Sequence, residues 1–118
     1  VVCLLCDRDI DRSGVNVSFF GEETTIPAGP ATLSLRTGAK IIPVAVYQSP
    51  TVHHAIVRPP IDTSRKGSLK EDISRVSQKI VREFEELIRL EPEQWHLMSP
   101  NWPSDYDAIQ GIMGKKFR

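Results

Sequence analysis

Three groups of residues in this chain are of types that can do chemistry. The first is Asp7-Arg8-Asp9, an arginine between two acids at the end of an apolar run. A guanidinium placed there either binds a phosphate or closes a structural Asp–Arg network. The second is Glu22-Glu23, directly after Phe19-Phe20-Gly21. On residue type alone an acid on such a loop faces solvent, and either glutamate is free to carry a role that a partner assigns. The third is Gly29-Pro30, at the predicted start of a helix. Free backbone N–H groups and a positive dipole end suit a phosphate or a developing oxyanion there, and Gly29 lets a ligand approach the backbone. A plain helix start needs no ligand at all.

The histidines and cysteines offer less. His53 and His54 are adjacent in a predicted strand, so their side chains point to opposite faces and make a poor metal site. His96 is a candidate by side-chain type alone and reads as structural. No Ser/His/Asp arrangement can be placed. Cys3 and Cys6 form a single C-x-x-C without a second pair or a nearby histidine. That is a weak zinc signal, and in a strand the two thiols diverge. They read as structural thiols in a reducing compartment. The 15 basic and 15 acidic residues cancel, so no global field favours nucleic acid. Lys115, Lys116 and Arg118 make a basic end and Glu83 to Glu93 an acidic stretch, both of the kind a solvated surface carries.

Residues 1–6 are continuously apolar and predict a buried strand. The chain opens on Val1 inside this run, which reads as a strand entered part-way and predicts further sequence upstream. It lacks the basic flank of a signal peptide and the length of a membrane span. Val15 to Phe19 alternates as a half-buried strand does. Glu22 to Ile26 reads as polar loop, and a short helix follows from Pro30, with Gly38 suited to its C-terminal cap. Lys40 to Tyr47 predicts a strand interrupted by Pro43, and residues 52–58 another. Strand, helix, strand in this order resembles a βαβ unit and predicts an α/β fold with a mostly parallel sheet flanked by helices. The most secure element is a helix from Leu69 to about Leu90. Ser68 and Glu71 give a capping box, and Leu69, Ile73, Val76, Ile80, Phe84, Leu87 and Ile88 form one stripe. Pro92 ends it. Beyond lie Trp95-His96 and Trp102, and residues 105–118 lack periodicity and predict a mobile tail after a domain spanning residues 1–104.

Five blocks in order carry a resemblance: Leu5-Cys6-Asp7-Arg8-Asp9, Phe19-Phe20-Gly21-Glu22, Pro27-Ala28-Gly29-Pro30-Ala31 with Thr37-Gly38-Ala39, Ile41-Ile42-Pro43-Val44-Ala45-Val46, and Pro92-Glu93-Gln94-Trp95 with Trp102. Together, from about Leu4 to Asp107, they resemble the C-terminal part of the HtrB-like bacterial lipid acyltransferases, and especially the actinobacterial phosphatidylinositol mannoside acyltransferases. The resemblance implies a portion of a glycerolipid acyltransferase-like fold. It implies transfer of a fatty acyl group from acyl-coenzyme A or acyl carrier protein to a glycolipid hydroxyl, at the inner face of the cytoplasmic membrane. It implies no metal or redox cofactor.

The same resemblance calls for a histidine base in an H-x-x-x-x-D or E motif. Arg58 lies five residues after His53, Pro59 after His54 and Asn101 after His96, so the motif is absent and the chain alone is expected to be inactive. Within the resemblance, Glu22 is the acid that would orient a histidine supplied from elsewhere. Arg8, Asp9, Gly29 and Pro30 would bind the anionic donor or headgroup. Trp95, His96 and Trp102 would shape an acyl-chain channel or lie at a bilayer surface, where amphipathic rings are favoured. The rival reading is a non-catalytic half-domain that binds lipid or a partner protein.

Overall fold

The computed structural model describes residues 1–116. It holds four strands and three α-helices: β1 Val15–Phe19, β2 Glu22–Ile26, α1 Gly29–Thr37, β3 Val44–Gln48, β4 His53–Val57, α2 Leu69–Leu90 and α3 Pro103–Lys116. A 3-10 turn over Pro92–Gln94 follows α2. The α/β class holds, but the parallel sheet does not. Among the described residues β1 pairs only with β2 and β3 only with β4, both antiparallel. Short connections force each pairing: two residues join β1 to β2 and four join β3 to β4, whereas a parallel crossover needs a dozen or more. The connection through α1 from Ile26 to Val44 is long enough for such a crossover, but the two strands that flank α1 do not pair and belong to different hairpins.

Two further expectations change. Glu22–Ile26 is a strand, not a loop, with Phe19 opposite Glu22 and Val15 opposite Ile26. Gly21 makes the turn between the two strands. Phe20 (φ 49°) and Gly21 (φ 80°) are both left-handed, the geometry whose twist matches a two-residue hairpin. Residues 1–6 form no strand, and Val1, Val2 and Leu5 stand exposed while Cys6 is buried. An apolar run becomes a strand only where its backbone pairs with a neighbouring ladder, and among the described residues this one pairs with none.

The helices follow the sequence more closely. α1 ends on Gly38 at φ 77°, whose N–H donates to the Ser34 carbonyl. α2 starts at Ser68 with both halves of the capping box formed. Its stripe places Val76, Ile80 and Val81 against Val17, Phe19, Ile26 and Ala31, which is the core. Thus the β1–β2 hairpin and α1 pack on one side of α2. The β3–β4 hairpin meets it further along, where Tyr47 Oη donates to the Leu87 carbonyl at 2.6 Å. The segment expected as a tail is helical from Pro103 to Lys116, with Ile109, Ile112 and Met113 exposed. Phe117 and Arg118 lie outside the described residues.

Candidate functional site

The tip of the β1–β2 hairpin is held by several independent contacts. A left-handed Phe costs about 1–2 kcal/mol, because its Cβ crowds the following carbonyl. The surroundings offset that cost. Phe20 N–H donates at 2.9 Å to Oε1 of Glu85, an α2 acid only 3% exposed. Arg82 donates to both Glu85 oxygens at 3.1 Å, and Arg89 lies 3.7 Å from Oε2. The Arg89 guanidinium also sits over the Phe20 ring at 5.2 Å. Phe19 is fully buried, with Trp95 and Trp102 each 5.6 Å away centroid to centroid.

Glu22 emerges from this tip exposed. Its carboxylate accepts from Ser104 N–H at 3.3 Å and Ser104 Oγ at 3.0 Å, in the first turn of α3. Asp105 secures the same turn by accepting from the N–H groups of Asn101 and Trp102 at 2.8 and 3.0 Å. Of the two candidate glutamates, only Glu22 has side-chain partners among the described residues.

The Asp-Arg-Asp triplet divides its work three ways. Asp7 accepts from Trp95 Nε1 at 2.8 Å. Arg8 donates to the His96 carbonyl at 2.9 Å and lies 3.9 Å from Asp7. Asp9 accepts from Gly14 N–H at 2.7 Å and Thr25 Oγ1 at 2.8 Å. Gly14 has no alternative residue, since a Cβ there would stand 2.0 Å from the Ile26 carbonyl oxygen. Asp9 therefore clamps the far end of β2.

Gly29 is the opposite case. A Cβ would meet nothing within 4 Å. α1 has no side-chain cap and no acid in its first turn, and the N–H groups of Gly29 and Ala31 make no hydrogen bond among the described residues. Pro30 sits at the helix start, where its missing donor costs nothing. Glu22 opens β2 and Gly29 lies beyond its other end, so the two are at least ~13 Å apart along the strand. The candidates thus occupy two regions, not one.

Two cavities border β3. One, open and about 520 Å³, is lined by Gln48, His53, Gln94 and His96 among others. The other, about 460 Å³, runs between Leu4, Leu5 and Arg8 on one side and Val44–Tyr47, Leu87, Ile88 and Trp95 on the other. Arg8 lines the second; Glu22, Asp9, Gly29 and Pro30 line neither. Cys6 also borders it, and burial, with the nearby Asp7 charge, pushes its thiol up to about 11. It stays protonated at neutral pH and is no nucleophile.

The pattern described as bacterial lipid A biosynthesis acyltransferase matches residues 1–104. The chain belongs to this acyltransferase family. It is 38% identical over 104 residues to a phosphatidylinositol mannoside acyltransferase of Mycolicibacterium smegmatis, a match covering 88% of this chain and 33% of that protein. A second such protein, from Mycobacterium tuberculosis H37Rv, is 35% identical over 105 residues, 89% of this chain and 32% of the relative. The chain therefore spans about a third of the length of these curated relatives. Among its described residues, no helix is long and apolar enough to cross a membrane.

Within this acyltransferase segment, residue types alone passed over Glu85 and Asn101. Glu85 follows Val81 by four residues, so a signal existed: the spacing sets an acid at the flank of the apolar stripe. Asn101 is 7% exposed, with its amide nitrogen unpartnered among the described residues. Its sequence, a loop between two prolines, gave no signal for that burial. Trp95 and Trp102 have satisfied indole donors, on Asp7 and on the Phe19 carbonyl. Both support the hairpin tip, and Trp95 also borders the second cavity.

Proposed function

We propose that this chain is one segment of an O-acyltransferase that moves a fatty acyl group from a thioester, acyl-coenzyme A or acyl carrier protein, to a hydroxyl of a glycolipid. The acceptor class we favour is a phosphatidylinositol mannoside, because both relatives above carry that name. The enzyme works peripherally on the cytoplasmic face of the membrane. The acceptor oxygen attacks the thioester carbonyl while a histidine base takes its proton; the C–S bond then breaks, and the thiolate leaves protonated. That histidine comes from a part of the protein outside this chain, since none here has an acid at the required spacing. No metal or redox cofactor takes part.

The observation that carries the reading is the placement of Glu22. It is an exposed carboxylate at a strained turn, held on one side by Ser104, above a tip braced by a buried acid and two arginines. A carboxylate fixed in this way can hold a histidine tautomer without reorganising during the reaction. Arg8, with the open first turn of α1 at Gly29 and Pro30, gives cationic and N–H groups for the anionic donor or headgroup. Asp9 contributes by fixing the segment that carries Arg8.

The test is Glu22→Gln in the intact acyltransferase. Glutamine can keep the Ser104 contacts but cannot stabilise a histidinium. The expected result is a kcat lower by on the order of 100-fold or more, with thermal stability nearly unchanged. Undiminished acyl transfer would remove Glu22 from the site.

A further inference from the structure

Glu22 is exposed, and an exposed glutamate with free side-chain torsions populates many rotamers. This one is drawn to a single place. Its Oε2 accepts from Ser104 Oγ at 3.0 Å and its Oε1 from Ser104 N–H at 3.3 Å, so one residue engages both carboxylate oxygens. An ionised carboxylate can accept about four such bonds. Capacity therefore remains for the N–H of a histidine brought from elsewhere in the protein.

Ser104 can hold Glu22 only because its own backbone is held. The Asp105 carboxylate accepts from the N–H groups of Asn101 and Trp102, and the Asp105 N–H donates to the Trp102 carbonyl at 3.0 Å. The same short segment is tied to the hairpin twice more. Trp102 Nε1 donates to the Phe19 carbonyl at 3.0 Å, and the Asn101 carbonyl accepts from Thr24 Oγ1. Phe19 and Glu22 stand opposite each other across the ladder. Residues 101–104 thus bridge both strands at the turn, with Ser104 aimed at the acid.

A helix start favours a nearby carboxylate through its dipole, so Glu22 could be no more than a cap for α3. That place is already taken. Asp105 is the third residue of α3 and reaches back to the N–H of Trp102, just ahead of the helix, as the acid of a capping box does. Glu22 is spare as a cap. The contacts that hold α3 gather at this end, where the Arg12 guanidinium also lies 4.1 Å from the Tyr106 ring centre; further along, Ile109, Ile112 and Met113 are exposed. The matched family pattern stops at residue 104, so all but the first two residues of α3 lie beyond it.

We propose that Ser104 is a positioning residue for acyl transfer: it holds the Glu22 carboxylate in the orientation that meets the histidine base. The first turn of α3 is then part of the site. This rests on the reading above, in which Glu22 orients that histidine.

The test is a kinetic double-mutant cycle in the intact acyltransferase, with Ser104→Ala, Glu22→Gln and the two combined. Ser104→Ala frees the carboxylate without removing it, so kcat is expected to fall ~10-fold with KM changed less than about twofold. Ser104→Thr keeps a hydroxyl and should recover most of that loss. In the Glu22→Gln background, Ser104→Ala should change kcat by less than about twofold, since no carboxylate remains to be positioned. Equal losses in both backgrounds would make Ser104 a prop of the fold and overturn the proposal. Full activity of Ser104→Ala beside a damaged Glu22→Gln would overturn it too, while leaving the functional reading in place. Full activity of Glu22→Gln would sink that reading and the proposal together.

Discussion

Gly14 and Gly29 look alike in the sequence, each beside a turn, yet space distinguishes them. A Cβ at Gly14 collides with the Ile26 carbonyl, while one at Gly29 meets open solvent. Gly14→Ala is expected to cost about 2–3 kcal/mol through forced overpacking and loss of the Asp9 clamp. Gly29→Ala should stay within about 0.5 kcal/mol, as surface changes do. Urea unfolding of the two variants checks both numbers. If Gly29→Ala proves as damaging as Gly14→Ala, its role is structural and the anion-binding reading of α1 loses its best residue. Glu85 makes the matching case for the hairpin tip. Glu85→Ala should cost about 2–3 kcal/mol, because it leaves the Phe20 N–H without its charged acceptor. Glu85→Gln should recover much of that, since an amide oxygen can still accept. Candidate residues were legible by type, but their division of labour was not. Asp7, Arg8 and Asp9 are adjacent in sequence, and only the fold decides that they reach Trp95, His96 and β2 separately.

At the scale of elements, α2 shows what its N-terminus is built for. Asp72 is 1% exposed. Burial alone would raise its pKa, but bonds from Arg75, Arg65 and the N–H groups of Lys66 and Gly67 outweigh it and hold the carboxyl at about 2. An unfolded Asp titrates near 3.9. The folded value is the lower, so the stabilisation is fully present above about pH 4 and is lost as pH falls toward 2. Melting curves between pH 6 and pH 2 should therefore show the advantage of the natural chain over Asp72→Asn shrinking across that window. An advantage constant with pH would assign the loss to packing instead. Ser68→Ala, breaking the capping box, should cost about 1 kcal/mol at any pH in this range above 4. This helix was legible from end to end because its period and cap both lie within its own residues. β2 was not, since Glu-Glu-Thr-Thr reads as polar until the two-residue turn before it supplies a partner. The opposite error befell residues 1–6: strand composition without a strand neighbour.

The whole molecule is thin and wide, 55 by 44 by 22 Å, with a radius of gyration of 16.3 Å. A compact domain of this length would measure about 13 Å. Element order suggested a parallel sheet, but order does not say which strands meet; the short loops explain the two antiparallel hairpins, and the strands on either side of α1 do not pair although their connection is long enough for a crossover. Only one of them, β1–β2, is buried in the core, so the β3–β4 hairpin keeps an apolar face in water. Such a face is a liability for a chain alone, because an open edge beside exposed valines favours association. Val44 and Val57 stand directly opposite each other on that face. Replacing them as Val44→Lys with Val57→Glu puts opposite charges across the ladder, an exchange that alters the hairpin by no more than about 1 kcal/mol. The double variant should melt within a few degrees of the natural chain and stay monodisperse by light scattering at concentrations where the natural chain associates. A melting point lowered by about 10 °C or more would mean that these valines contribute to the chain's own core. The absence of any gain in solubility would mean that association runs through another surface, such as the exposed Ile109, Ile112 and Met113 of α3.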